Sequence, residues 1–311
     1  PVARARRAVV LPPEQELAIS IDTLVAGIHF LAETDPHGLG HKCLAVGLSD
    51  LAAMGAAPAW ATLALTLPAA DEAWLGAFAE GFGTLAQAHG GALVGGDATH
   101  GRLSITVQVH GLVPAGRAIR RSGARPGDLV CVSGTLGDAG LALRGLLAGD
   151  PVNDYLRARL ERPTARVTLG LALRGLATAM IDISDGLVAD LGHILEESAL
   201  GRGLEADQIG AELRLADLPL SPQVRDAITR TQDWSLPLAA GDDYELCFTL
   251  PPDQGDKLAA LSRRLDCPLT AIGRILDKTE RAAPMGLTCR GPDGTSWTPK
   301  YAGFNHFPGP D

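Results

Sequence analysis

The sequence predicts an α/β (α+β) chain built as two domains, and three observations predict it. Segments of alternating hydrophobicity recur between segments of helical periodicity along the whole chain. The length of 311 residues corresponds to about two domains at roughly 150 residues each. A polar, glycine-rich passage at residues 113–127 (VPAGRAIRRSGARPG) separates two such mixed halves. The boundary placed there gives domains of residues 1–118 and 119–311.

In the first half, residues 17–23 (LAISIDT) alternate as a strand with a polar end at Asp22 and Thr23. Residues 40–53 read as a helix with Leu44, Leu48 and Leu51 on one face, and residues 60–67 alternate again until Pro68. Residues 71–89 form an amphipathic helix with Trp74, Phe78, Phe82 and Leu85 on one stripe. Its Asp71-Glu72 start complements the helix dipole. A short strand at 91–96 ends in Gly95-Gly96-Asp97, and 104–113 is a further strand. In the second half, strands are expected at 128–133, 179–183, 244–250 and 269–275, and helices at 138–147, 166–177, 187–197 and 254–265.

Composition removes several classes of function. With 36 acidic and 27 basic residues the formal charge is -9, which argues against a general nucleic-acid binder. The only lysines are Lys42, Lys257, Lys278 and Lys300, and none lies in a G-x-x-x-x-G-K-[ST] loop. A P-loop site is thereby excluded, and a Schiff-base lysine is disfavoured. Cys43, Cys131, Cys247, Cys267 and Cys289 are scattered, odd in number and without a C-x-x-C. That usage fits buried thiols in a reducing cytoplasm better than a disulfide frame or a zinc site. No apolar run reaches membrane-spanning length. The basic start at residues 1–7 lacks the apolar segment of a signal peptide, and a start at proline suggests residues upstream. The 37 glycines and 21 prolines are spread along the chain and form no low-complexity linker.

The informative feature is aspartate placed beside glycine and at expected strand ends. Asp22 ends a strand, Asp50 lies in Gly47-Leu48-Ser49-Asp50-Leu51, and Asp97 follows two glycines. Asp182 and Asp185 flank a strand-to-turn passage, and Asp242 and Asp243 lie in Gly241-Asp242-Asp243-Tyr244-Glu245. Each alone is consistent with a turn residue or a helix cap. Together they are consistent with a multi-Mg²⁺ site for a polyphosphate, since converging carboxylates repel unless cations lie between them. Weaker signals are set aside or left open. Gly81-Phe82-Gly83-Thr84-Leu85-Ala86 fits G-x-G-x-x-A but falls within a helix instead of after a strand. His37 and His41 are four apart without a third ligand. No G-x-S-x-G occurs. Arg117, Arg120, Arg121 and Arg125 form either a solvated hinge or a phosphate clamp.

The motifs resemble one family over nearly the whole chain, thiamine-monophosphate kinase, within the fold group of aminoimidazole ribonucleotide synthetase and selenophosphate synthetase. They are residues 19–30 (ISIDTLVAGIHF), 48–56 (LSDLAAMGA), 95–99 (GGDAT), 121–128 (RSGARPGD), 181–187 (IDISDGL), 241–248 (GDDYELCF) and 303–307 (GFNHF). The D-T-L-V-x-x-x-H-F stretch at Asp22 to Phe30 separates this kinase from relatives that share only the fold. The resemblance implies ATP-dependent phosphorylation of thiamine monophosphate to thiamine diphosphate by direct in-line transfer, with several Mg²⁺ ions. It implies a synthetase-like fold whose N-terminal mixed sheet serves ATP and metal binding and homodimerisation, followed by a C-terminal α/β domain. Ser20, Ile21, Asp22, Asp50, Asp97, Asp182 and Asp185 match metal positions. Gly96, Asp97, Arg121 and Ser184 match ATP contacts, and His29, Asp242 and Phe304 match substrate contacts. Neither a nucleic-acid nor a membrane partner is expected.

Four departures from the family pattern stand out. Ile21 replaces a frequent threonine, so it would serve through its backbone carbonyl. Asp242 stands where glutamate is frequent, and Phe304 where tyrosine is frequent. The family's N-terminal G-I-G-D-D segment is absent before Ala8, which suggests an acidic loop omitted between Arg7 and Ala8. Two alternatives remain at this level: another ATP-using synthetase of the same fold group, and a non-catalytic nucleotide- or thiamine-phosphate-binding protein.

Overall fold

The computed structural model describes residues 10–205, 208–277, 286–298 and 303–304. The expected loop between Arg7 and Ala8 lies outside the described residues. The chain forms two compact units: one runs to Ala118 and also takes Glu161–Leu171, and the other takes Ile119–Leu160 and the chain from Ala172. Strands and helices mix in both, as the α/β reading expects.

The first unit is a four-stranded sheet covered on one face by two helices. Its strands are β1 (Gln15–Val25), β2 (Ala57–Leu67), β3 (Ala92–His100) and β4 (Ser104–Pro114), in the order β1-β4-β2-β3. β4 runs antiparallel to β1 and to β2, while β2 and β3 are parallel. A parallel pair needs a crossover, and α2 (Glu72–Ala88) supplies it. Helix α1 (Pro36–Ala53) starts where Asp35 accepts a hydrogen bond from the Gly38 N–H at 2.8 Å, with Pro36 in the first turn. Asp71 caps α2 in the same way through the Ala73 and Trp74 N–H groups. The apolar stripe of α2 is buried at Phe78, Phe82 and Leu85, and Trp74 stacks on Phe78 at 5.3 Å. Leu39, Cys43, Leu44 and Leu51 of α1 are buried as well, as are Ile105, Val107 and Val109 of β4, and α1 packs against both α2 and β4.

The two helices touch backbone to backbone. A Cβ on Gly40 would lie 2.1 Å from the Phe78 carbonyl oxygen, and one on Gly81 would lie 1.9 Å from that of His37. Gly81 of the G-x-G-x-x-A match is therefore a packing glycine inside α2. His41 of the paired histidines bonds through Nε2 to the Pro163 carbonyl at 3.0 Å.

The second unit is a seven-stranded sheet, made of β5 (Leu129–Ser133), β6 (Ala179–Asp182), β7 (Ile209–Arg214), β8 (Leu246–Leu250), β9 (Leu269–Asp277), β10 (Leu287–Arg290) and β11 (Ser296–Trp297). The order is β11-β10-β7-β9-β5-β8-β6, antiparallel except where β10 meets β7. Its helices are α3 (Asp138–Ala148), α4 (Asp154–Glu161), α6 (Leu187–Leu200), α7 (Pro222–Thr231), α8 (Ser235–Ala239) and α9 (Gly255–Leu265), while α5 (Val167–Leu173) spans the division between the units. The core joins Val130, Val132, Ile181 and Ile272 of the sheet to Leu187, Leu191, Ile194 and Leu195 of α6. β7, β10, β11, α4, α7 and α8 had no counterpart in the sequence reading.

Two expected placements change. Asp22 lies within β1, which continues to Val25, and Asp97 lies within β3, which continues to His100. Asp50 lies in the last turn of α1, within the helix expected at 40–53. The strand-end pattern therefore holds for Asp182 and not for the N-terminal aspartates.

Candidate active site

In the first unit, three of the seven metal-position residues meet on the helix-covered face of the sheet. Ser20 and Asp22 stand two apart on β1, pairing with Val109 and Val107, whose side chains are buried beneath the helices. Asp50 reaches the same place from α1, and Ser20 Oγ donates to its Oδ2 at 2.5 Å. Helix α1 approaches this closely because Gly47 faces Val109: a Cβ there would meet a Val109 methyl at 2.9 Å. Asp22 Oδ2 is buried, with no hydrogen-bond partner among the described residues. Burial, with the Asp50 charge second, pushes the Asp22 carboxyl up to about 7.

Ile21 points to the other face and is exposed, so only its backbone is available to a ligand on the Asp22 side. Gly96 and Asp97 sit on β3 at the opposite edge of the sheet. The pairings Asp22↔Val107, Val107↔Leu63 and Leu63↔Gly96 put Gly96 level with Asp22, three strand intervals away. At ~4.8 Å per interval that is about 14 Å. Asp97 is therefore not part of the Ser20–Asp22–Asp50 group within one copy of the unit. Gly96 passes so close to β2 that a Cβ would lie 1.8 Å from the Leu63 carbonyl oxygen. His29 follows β1 in a turn closed by Gly27 N–H to the Phe30 carbonyl. Its Nδ1 accepts from the Val25 N–H at 3.0 Å, which in the neutral ring places the proton on Nε2.

In the second unit, a zipper of backbone bonds assembles the remaining positions. Asp182 ends β6 and is buried. The Ile183 N–H donates to the Glu245 carbonyl, the Tyr244 N–H to that of Ile183, and the Asp242 N–H to that of Ser184, all at 2.8 Å. The Phe304 N–H donates to the Asp185 carbonyl at 3.0 Å, which seats its exposed ring beside the same turn. Asp182, Ser184, Asp185, Asp242 and Phe304 are thus gathered at one place, on adjoining turns.

Asp190, absent from the sequence reading, holds that turn. One of its oxygens accepts from the Ser184, Asp185 and Gly186 N–H groups, each at 3.1 Å. Burial and then the Asp185 charge push its carboxyl up to about 7, against those three donors. With the N–H and C=O of Ser184 both engaged, its hydroxyl is what remains to meet a nucleotide. Arg121 is exposed, and its neighbours Gly123 and Ala124 donate to Ser198 Oγ of α6, a second anchor missed in the sequence. Asp190 was signalled as an acid in the first turn of a helix; Ser198 carried no signal.

The oxygen-only set of Ser20, Asp22 and Asp50, with one buried oxygen unbonded, fits a hard divalent cation such as Mg²⁺. Among the described residues, no group of three His, Cys, Asp or Glu side chains has metal-binding geometry by itself.

The family described as AIR synthase related protein matches in its N-terminal domain over residues 5–113 and in its C-terminal domain over residues 125–283. The thiamine-monophosphate kinase of Escherichia coli (strain K12) is 47% identical over 305 residues, covering 96% of this chain and 89% of the relative. The chain belongs to the thiamine-monophosphate kinase family. A second member, from Bacillus subtilis, is 32% identical over 93% of this chain and 87% of its own. The crystal structure of the family member from Stenotrophomonas maltophilia K279a is 46% identical, with a TM-score of 0.82 over 92% of this chain and 87% of that one. AaThiL complexed with AMPPCP and TMP superposes with a TM-score of 0.80 at 30% identity, over 96% of this chain and 89% of that one. Hydrogenase maturation protein HypE shares the fold alone, at 19% identity and a TM-score of 0.75.

Proposed function

We propose that the chain transfers the terminal phosphoryl group of ATP to thiamine monophosphate, forming thiamine diphosphate, with Mg²⁺ as the resident metal. The observation that carries this is the Ser20–Asp22–Asp50 group, a half-buried acidic pair with one buried, unbonded oxygen, in a chain of this kinase family. Ser20, the Ile21 carbonyl, Asp22, Asp50, Asp97, Asp182 and Asp185 are the proposed metal positions. When bound there, Mg²⁺ offsets the repulsion between two phosphorylated substrates and spreads the charge of transfer.

The chain's own residues bind and orient. The acceptor is a phosphate oxygen already ionised near neutral pH, so no strong general base is needed. Arg121, with Gly96, Asp97 and the Ser184 hydroxyl, receives the nucleotide, the guanidinium matching phosphate oxygens. His29 offers its Nε2–H to the substrate, as the Val25 bond to Nδ1 dictates. Phe304 supplies an exposed ring for stacking, and Asp242 a carboxylate. Transfer is direct, without a phospho-enzyme.

A homodimer is part of the same proposal. Ile19 and Ile21 on β1 and Leu93 on β3 are exposed, and β1 and β3 are the two edges of their sheet. Pairing the β1 edge of one copy with the β3 edge of another would put the Asp22 and Asp97 positions on neighbouring strands. A cytoplasmic location fits the five buried free thiols. No helix among the described residues is long and apolar enough to cross a membrane.

The test is incubation with ATP, Mg²⁺ and thiamine monophosphate, with thiamine diphosphate detected by fluorescence after oxidation. One ADP should appear per product, and no ³²P should remain on the protein. ADP release dependent on an amide or selenide acceptor would overturn the reading, as would binding of both substrates without product.

A further inference from the structure

Asp242 stands on a backbone that side chains seldom adopt. Gly241, Asp242 and Tyr244 have φ of 73°, 60° and 48°, so two residues with a Cβ are held left-handed around Asp243. Only glycine fits at 241, where a Cβ would lie 2.5 Å from the Ser184 carbonyl oxygen. Such a turn persists only when its surroundings over-determine it. The Tyr244 hydroxyl donates to Asp242 Oδ1 at 3.0 Å, which aims the carboxylate but does not hold the backbone.

Beyond its backbone bonds to Ser184 and Ile183, the turn is held from behind by a buried ionic cluster. Asp243 is buried and takes the Gly137 N–H on both carboxylate oxygens at 3.0 Å. Arg159 reaches in from α4, and its Nη2 donates to the Asp243 carbonyl at 3.4 Å, the Thr135 carbonyl at 3.2 Å and Glu245 Oε1 at 3.1 Å. Its Nε lies 3.7 Å from Asp138 Oδ2. The Glu245 carboxylate is fully buried, bonded by Ser133 Oγ at 2.6 Å and laid against the bare backbone of Gly134. A single guanidinium thus ties the loop carrying Asp242, through the Asp243 carbonyl and the Glu245 carboxylate, to the end of β5 and to the buried Asp138 carboxylate. Burial raises the Asp243 carboxyl well above its usual range, with Arg159 opposing.

We propose that Arg159 is a positioning residue for the substrate loop: by fixing residues 241–245 from behind, it sets where the Asp242 carboxylate points. The proposal rests on the reading of Asp242 as a contact to thiamine monophosphate. A lysine would keep the charge but lose the planar fork that spans these acceptors.

The test uses the full chain with Arg159→Gln and Arg159→Lys, and with Asp242→Ala as reference. Arg159→Gln should raise KM for thiamine monophosphate about tenfold, the scale of a lost charged hydrogen bond, with KM for ATP changed less than about twofold. Combined with Asp242→Ala, it should add little to the loss from Asp242→Ala alone. Amide exchange in peptides covering 183–185 and 242–246 should quicken about tenfold, while peptides of α1 stay unchanged. If Arg159→Gln does not melt cooperatively, Arg159→Lys carries the same measurements. Equal rises in both KM values would overturn the proposal, as would an unchanged KM for thiamine monophosphate with unchanged loop exchange. An unmutated chain that does not turn over thiamine monophosphate would sink the proposed function, and the exchange experiment would still decide whether Arg159 fixes the loop.

Discussion

Asp22→Asn should stabilise the metal-free protein and abolish its activity. Burial and the Asp50 charge raise the Asp22 carboxyl from 3.8 to about 7. A carboxyl raised on folding holds its proton longer in the folded state. The cost is therefore absent below pH 4, grows between pH 4 and 7, and is constant above. Three pH units at about 1.4 kcal/mol each set an upper bound of ~4 kcal/mol. Solvent screening at this partly exposed site brings the expected gain down to about 2 kcal/mol. The substituted amide can also donate to the Asp50 carboxylate. Urea denaturation in EDTA should then show the variant more stable by about 2 kcal/mol at pH 8 and equal to the parent at pH 4. Adding Mg²⁺ should raise the parent's midpoint by linkage and leave the variant's nearly unmoved. A variant no more stable than the parent at pH 8, or a gain of the same size at both pH values, would refute the reasoning. Equal Mg²⁺ stabilisation of both proteins would remove Asp22 from the metal positions.

Three further outcomes are expected. Gly81→Ala places a methyl 1.9 Å from the His37 carbonyl oxygen, so α1 and α2 must separate; denaturation should show a loss of about 3 kcal/mol, and a loss below ~0.5 kcal/mol would contradict the crossing. Ile19→Asp puts a charge on the exposed face of β1; sedimentation should show dimer giving way to monomer with turnover falling in parallel, and an unchanged dimer would move the interface elsewhere. His29→Ala removes the Nε2–H donor, so KM for thiamine monophosphate should rise about tenfold with KM for ATP unchanged, the scale of a hydrogen bond to a charged group; an unaffected KM would remove His29 from the substrate site.

The legible parts of the fold were those with strong periodicity or a clear stop. The α2 stripe of Phe78, Phe82 and Leu85 and the alternation of β4 appear where the pattern puts them. β7 and β10 were not legible, since the burial along β7 does not alternate and β10 has only four residues. α7 did announce itself, with Ser221 accepting from the Val224 N–H and Pro222 in the first turn, but the mainly polar run after it hid the signal. In the site, the motif glycines drew attention to the aspartates through a partly wrong placement. Asp22 and Asp97 were read as strand ends, whereas both strands run three residues further, because pairing with β4 and β2 continues past the polar positions. Asp190, Arg159 and Glu245 were not singled out, because their importance comes from bonds to residues 5, 84 and 112 positions away.

Asp22 and Asp190 show why a raised carboxyl is not by itself the mark of a ligand. Both are pushed up to about 7 by burial first and a neighbouring aspartate second. Asp190 already meets three backbone N–H donors with one oxygen, so a cation at that oxygen would have to displace the bonds that shape the Ser184–Gly186 turn. Asp22 has a buried oxygen with no donor, beside a carboxylate whose own bond comes from Ser20. Leaving such an acceptor unmet costs free energy that a divalent cation would recover. The same shift therefore assigns opposite duties. At Asp190 it measures the cost of a scaffold carboxylate that keeps Asp185 and Phe304 in place. At Asp22 it accompanies a buried acceptor without a donor, which the proposed Mg²⁺ would meet. Asp190→Asn should accordingly change loop order before it changes Mg²⁺ affinity, whereas Asp22→Asn should do the reverse.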